Sequence, residues 1–196
     1  MAKPRIAVIG AGLMGHGIAY IFAEAGHPVR VYDPSLEALK SLPDRILAIA
    51  TLLDTDPESC ARVEALSDMH DALAEADFVI EAASENIELK QNLFAAFEAS
   101  TCPACVLASN TSSIPLKDIG ARMTDRSRLV GAHFWNPPHL VPLVEVSQLA
   151  PENLAAVEKM IKLLADAGRH PVHVKRDVPG LIGNRLQHAL KREAIA

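Results

Sequence analysis

The sequence predicts an α/β chain built on a doubly wound, mainly parallel sheet. Three observations carry that prediction. Short β-branched runs alternate with longer helical patterns. The first run ends in a glycine-rich turn that opens a helix, Gly10-Ala11-Gly12-Leu13-Met14-Gly15. No internal repeat or low-complexity segment points to another architecture.

Each element follows from local pattern. Residues 5–9 form a β-branched run that stops at Gly10 and reads as a buried strand. Residues 13–25 read as a helix, with Gly26 as its stop. A second buried strand, 29–32, ends at Asp33. Residues 35–53 are helical, with a break expected at Pro43. Residues 54–59 are polar and turn-like, 63–66 read as a strand and 71–75 as a short helix. Strand 78–81 precedes an amphipathic helix over 86–99, with Ile87, Leu89, Leu93, Phe94 and Phe97 as its apolar positions. Strand 105–108 runs into Ser109-Asn110-Thr111-Ser112-Ser113. Strands 129–134 and 143–146 flank a proline-rich loop. A helix over 152–167 closes on Gly168, and a strand over 172–174 follows. A new helical stretch, 181–196, begins after Pro179-Gly180.

Composition bounds the function. The chain has 196 residues, 49% of them apolar, which is enough for a packed core and excludes disorder. That length suits one domain, or one domain and part of a second. No apolar run approaches the ~18 residues of a membrane helix. Met1-Ala2-Lys3-Pro4-Arg5 leads into a run of only four apolar residues before Gly10, too short for a signal peptide, so a cytoplasmic location is expected. The net charge of −5 argues against a general nucleic-acid binder but leaves room for a local basic pocket. Three cysteines, Cys60, Cys102 and Cys105, fit a reduced protein better than a disulfide scaffold. Cys102-Pro103-Ala104-Cys105 is formally a C-x-x-C, but it lacks a second ligand pair for zinc and precedes a strand rather than a helix. Two unrelated thiols are the favoured reading.

The glycine turn carries the first chemical signal. In a G-x-G-x-x-G after a strand, Gly10 permits the tight turn, Gly12 lets backbone approach a pyrophosphate, and Gly15 lets helix and strand pack closely. The pyrophosphate sits where free N–H groups and the helix dipole favour negative charge. Asp33, 23 residues after Gly10, can accept hydrogen bonds from an adenosine ribose and repels a 2′-phosphate. Pro34 and Ser35 follow it, with no arginine to receive that phosphate. NAD is therefore expected over NADP.

Ligands of doubly wound sheets bind outside the carboxyl ends of the strands. Three strand ends here are polar: Glu85-Asn86, Asn110 to Ser113, and His133-Phe134-Trp135-Asn136. If strands 129–134 and 143–146 pair about His139, His133 faces Glu145. A carboxylate on one imidazole nitrogen fixes the tautomer and strengthens the other as a proton acceptor. A histidine in a partly buried strand, satisfied by any nearby acceptor, fits the same spacing. His139 reads as a loop residue or a pocket wall, and no third ligand supports a His133/His139 metal site. Ser112 and Ser113 could cap a short helix near Pro115 or hydrogen-bond a substrate oxygen. Asn184 on a helix is by itself uninformative.

Together these stretches resemble the L-3-hydroxyacyl-CoA dehydrogenases, a superfamily that includes the λ-crystallin/gulonate dehydrogenase branch. Residues 6–15, 109–113, 133–137 with 142–145, and 177–185 carry the likeness, in family order and over nearly the whole chain. The resemblance implies a Rossmann-type domain over 1–177 and, over 178–196, the first helix of a mostly missing all-α C-terminal domain that closes the substrate site and makes a homodimer. It implies His133 as catalytic base, Glu145 as its partner, and Ser112 and Asn184 on the substrate's reacting oxygen. Gly10, Gly12, Leu13, Met14, Gly15 and Asp33 would bind NAD, with Glu85, Lys90, Asn110 and Asn136 around its nicotinamide and ribose. No metal is implied. The reaction would be reversible oxidation of a 3-hydroxyacyl-CoA to the 3-ketoacyl-CoA.

Two departures bear on the substrate. Family members specialised for CoA carry a longer, lysine-bearing helical excursion after the second strand; residues 36–66 are compact here and offer only Lys40, Arg45 and Arg62. Asn136-Pro137-Pro138-His139 is closer to relatives acting on free hydroxy acids. A dehydrogenase of a small free hydroxy acid and a non-catalytic NAD-binding relative stay open. The His…Glu pair disfavours the 6-phosphogluconate type, which centres on a lysine.

Overall fold

In the computed structural model, which describes residues 2–195, β1 (Ile6–Ile9) is buried along its whole length. Its side chains alternate between two apolar layers. Ile6 and Val8 join one, Ala7 and Ile9 the other. That double burial explains why the strand is a continuous apolar run.

Seven more strands join β1: β2 (Val29–Tyr32), β3 (Val63–Leu66), β4 (Phe78–Glu81), β5 (Val106–Ser109), β6 (Leu129–Phe134), β7 (Leu143–Gln148) and β8 (His170–Val174). The order across the sheet is β3-β2-β1-β4-β5-β6-β7-β8. Neighbours from β3 to β6 pair in parallel, β7 runs antiparallel to β6, and β8 lies parallel to β7. The order reverses between β1 and β4, which opens a crevice at the carboxyl ends of those strands. The mainly parallel, doubly wound sheet expected from the sequence is the sheet observed.

Helices α1 (Gly15–Glu24), α2 (Leu36–Leu52) and α6 (Leu154–Asp166) cover one face, through Ile18, Leu42, Ile46 and Met160 among others. Helices α3 (Met69–Leu73), α4 (Ile87–Ser100) and α5 (Leu116–Ile119) cover the other, through Leu73, Phe94, Phe97 and Ile119. A seventh helix, α7 (Ile182–Ile195), buries none of its residues. The expected stretch 181–196 reaches Ala196, which lies outside the described residues.

Two expectations need correction. The helix does not break at Pro43: α2 continues through it. The proline lies on the exposed side, while Leu39, Leu42, Ile46 and Ile49 are buried around it. Four such side chains, at roughly 1.5–3 kcal/mol each, outweigh the roughly 3 kcal/mol that an internal proline costs. In α4 the apolar pattern misplaces the buried face. Ile87 and Leu89 are each 39% exposed, and Lys90 is buried in their stead. Its charge is met by two carboxylates described below.

Candidate active site

The glycine loop joins β1 to α1 at the reversal of strand order. Gly10 has φ +111°, and a Cβ there would meet the Ala82 carbonyl oxygen at 2.6 Å. A Cβ on Gly15 would collide with the Gly10 carbonyl, so the close approach expected of the third glycine is made to the loop itself. Beside Gly12 there is open space. Gly10 N–H donates to the Tyr32 carbonyl at 2.7 Å, and Ala11 N–H to Asp33 Oδ2 at 2.8 Å. Asp33 Oδ1 accepts from Ser35 N–H at 2.8 Å, so each carboxylate oxygen keeps a lone pair for a further donor. Among the described residues, no protein acceptor takes the N–H of Gly12, Leu13 or Met14. These free donors, the open side of Gly12 and the acidic end of β2 fit a dinucleotide.

Next to the loop lies a cavity of about 400 Å³. Its lining includes eight residues with candidate roles: Met14, Glu85, Lys90, Asn110, Ser112, His133, Asn136 and Asn184. Sequence reasoning singled out all eight. A larger groove, about 650 Å³, lies elsewhere, near Arg5, His27 and Asp77, and contains none of them.

A buried carboxylate at the end of β4 organises one wall. Glu81, fully buried, accepts from Lys90 Nζ at 2.6 Å, from Ala83 N–H at 2.7 Å and from Ser109 Oγ at 2.6 Å. Lys90 Nζ also lies 3.2 Å from Glu85 Oε2. Glu85 Oε1 in turn accepts from Thr111 Oγ1 at 2.6 Å, Ser113 Oγ at 3.1 Å and Ser112 N–H at 3.2 Å. Burial pushes the Glu85 carboxyl up, but the Thr111 hydrogen bond and the Lys90 charge outweigh it and hold it below the usual range. Asn110 spans to the next strand, its Oδ1 accepting from Phe134 N–H at 2.9 Å.

The opposite wall is the β6–β7 ladder. His133 and Glu145 are register partners, as pairing about His139 requires. His133 Nδ1 donates to Glu145 Oε2 at 2.9 Å, with both groups buried. That bond leaves Nε2 as the ring nitrogen without a protein partner, and His133 lines the cavity. Two more donors hold the carboxylate: Trp135 Nε1 to Oε2 at 3.2 Å, and Gly183 N–H to Oε1 at 3.0 Å. Burial pushes Glu145 up, but the hydrogen bonds from His133 and Gly183 outweigh it and favour the carboxylate. Gly183 must be glycine, because a Cβ there would run into the Trp135 indole. One residue on, Asn184 Nδ2 donates to the Ser112 carbonyl at 3.0 Å. Two residues 72 apart in sequence thus meet across the cavity.

Several expectations change. Ser112 and Ser113 do not cap α5. Asp177 does, accepting from Leu116 N–H and Lys117 N–H at 2.9 Å each, while Ser113 turns to Glu85. His139 is half-buried and, with Pro138, packs over Gly17 of α1. Burial pushes the Cys105 thiol up to about 12. Glu81 and Arg45 are not expected as site residues from the sequence, and Thr111 and Trp135 are marked there only as members of polar strand ends. The available signal for Glu81 was a carboxylate ending an apolar strand nine residues before a lysine.

The comparisons with known proteins decide the family. The family model described as "3-hydroxyacyl-CoA dehydrogenase, NAD binding domain" matches residues 5–178. The chain belongs to this family. It is 38% identical over 195 residues to an L-carnitine dehydrogenase of Streptomyces griseus, covering 97% of this chain and 58% of the relative. It is 39% identical over 197 residues to a 3-hydroxyadipyl-CoA dehydrogenase of Escherichia coli K12, covering 96% and 41%. The crystal structure of 5-formyl-3-hydroxy-2-methylpyridine 4-carboxylic acid 5-dehydrogenase, described as an NAD⁺-dependent dismutase, superposes with TM-score 0.89 at 34% identity, covering 98% of this chain and 64% of that one. The chain spans 58% to 63% of the length of three curated relatives it matches. Among the described residues, no helix is long and apolar enough to cross a membrane.

Proposed function

We propose that the chain is the cofactor-binding part of an NAD-dependent oxidoreductase that interconverts a 3-hydroxyacyl group and its 3-keto form. The observation that carries this reading is the buried His133–Glu145 pair, 2.9 Å apart, with His133 lining the cavity beside the glycine loop. The N–H groups of Gly12 and Leu13 would bind the pyrophosphate and Asp33 the adenosine ribose. Bound NAD supplies the hydride acceptor. His133 takes the hydroxyl proton on Nε2 as the carbinol carbon becomes a carbonyl. Its Nδ1–H keeps its hydrogen bond to Glu145, whose negative charge stabilises the imidazolium. Ser112 and Asn184 hold the reacting oxygen. Glu85, Lys90, Asn110 and Asn136 surround the nicotinamide end. Residues 1–177 are the NAD-binding domain, and 178–196 open a second, helical domain that carries the homodimer interface. The unburied face of α7 supports that division.

The family name and the E. coli relative support a CoA thioester as substrate. One observation favours a second reading, a free hydroxy acid. Of the three cations in 36–66, Arg45 is spent on the glycine loop and Arg62 Nη1 lies 3.4 Å from the Ala23 carbonyl. Lys40 and the exposed Arg62 are left for the phosphates of CoA. NADH oxidation by the full-length protein with acetoacetyl-CoA and with free acetoacetate, at matched concentrations, separates the two. A thioester preference establishes CoA recognition, and an acid preference the second reading. Turnover of neither, with NADH bound, removes the 3-hydroxyacyl reading.

A further inference from the structure

We propose that Arg45 aims the glycine loop at the dinucleotide. The inference rests on reading that loop as the NAD pyrophosphate site, and adds a residue that no part of the motif contains. Arg45 lies on α2, yet its guanidinium forks across two loop carbonyls. Nη1 donates to Ala11 O at 2.7 Å and Nη2 to Gly12 O at 2.9 Å. Nη2 also meets His16 Nδ1, on the first turn of α1, at 2.6 Å. His16 Nδ1 also lies 2.9 Å from the Gly12 carbonyl oxygen, so the imidazole and the guanidinium converge on that acceptor.

The consequence is geometric. A trans peptide holds its C=O and the following N–H on opposite sides. Fixing the Ala11 and Gly12 carbonyls on Arg45 therefore turns the Gly12 and Leu13 N–H groups away from it, toward the open side of the loop. Those are the donors without a protein acceptor among the described residues. Two loop amides are already committed, Gly10 to Tyr32 and Ala11 to Asp33. Ala11 is buried in the core, but nothing lies within 4 Å of a Cβ built on Gly12, so packing does not restrain that residue. The guanidinium does, and its hydrogen bonds polarise the same peptides, strengthening their N–H groups as donors. Arg45 touches the loop rather than the ligand, which makes it a positioning residue. Lysine, a point charge, cannot span both carbonyls.

The test compares the parent chain with R45M and R45K. NADH binding is followed by fluorescence and ADP-ribose binding by calorimetry. Backbone ¹⁵N relaxation at Gly12 and Leu13 is measured without ligand, and thermal melting checks folding. R45M is expected to weaken both ligands by about tenfold, on the scale of one well-oriented hydrogen bond. The loss should be equal for the two, since both carry the pyrophosphate. Gly12 and Leu13 should become more mobile in the ligand-free chain. R45K should recover only a small part of the affinity. Folded R45M that binds NADH within twofold of the parent overturns the inference. So does full recovery in R45K, which would make the effect one of charge alone. A parent chain that binds neither ligand overturns the NAD reading itself, and this inference with it.

Discussion

The two ends of the sheet each hold a groove and a buried histidine, and they differ in what surrounds the ring. At the amino end, His27 is 2% exposed; its Nδ1 donates to the Pro4 carbonyl at 2.9 Å, and its Nε2 is buried without a partner. At the carboxyl end, His133 is 7% exposed and donates to a carboxylate held by two further donors. A neutral carbonyl gives little help to a positive ring, whereas a clamped carboxylate can balance one. Burial lowers the His27 pKa, and Lys3 nearby adds to this against the opposing Pro4 and Asp166. The amino-end groove is the larger, about 650 Å³ against about 400 Å³. Convergent polar groups, not volume or burial, mark the site.

Replacing Glu145 by Gln is the strongest way to erase the difference. The ring keeps a neighbour of similar shape but loses its counter-charge. We expect kcat of the full-length protein to fall by about 10³-fold, with NADH affinity unchanged. Stability should fall by about 1–3 kcal/mol, because donors that met a carboxylate now face an amide. Steady-state kinetics and denaturant unfolding read both effects.

Acid titration sharpens the comparison, because the two ends respond in different windows. His27 has a folded pKa below its ordinary 6.5, so the unfolded chain binds its proton first. Its contribution to stability is complete above 6.5 and is lost as the pH falls through the lowered folded value. Glu145 is also depressed, from 4.5, so its contribution is complete above 4.5 and lost further into acid. Unfolding free energy measured across pH should therefore fall in two stages. His27→Phe should flatten the first without removing it, since burial also lowers His16 and His139. An unchanged first stage in that variant would show that His27 does not contribute to it. This is the smaller effect, about 1 kcal/mol for each pKa unit of separation.

The β6–β7 wall was more legible in the sequence than the wall at the end of β4. His133 and Glu145 could be paired because two strands joined by a proline loop leave few registers, and one of them places these residues face to face. The glycine motif and Asp33 were legible because their roles depend on local backbone and on the end of the adjacent strand. What escaped notice depends on distant partners. Lys90 is marked only by the family resemblance, and its local pattern gives no sign of Glu81 and Glu85. Asp177 caps a helix 60 residues earlier, a bond that no local pattern announces. Arg45 reads as one of three surface cations until α2 packs beside the loop. The uninterrupted helix at Pro43 likewise depends on burial across the sheet, not on local propensity.

The most direct test of the central claim is His133→Gln in the full-length protein, with NADH binding and turnover measured side by side. The account predicts parental NADH affinity with kcat lowered by about 10³-fold or more. Near-parental turnover at unchanged NADH affinity would contradict it and remove His133 as the proton acceptor.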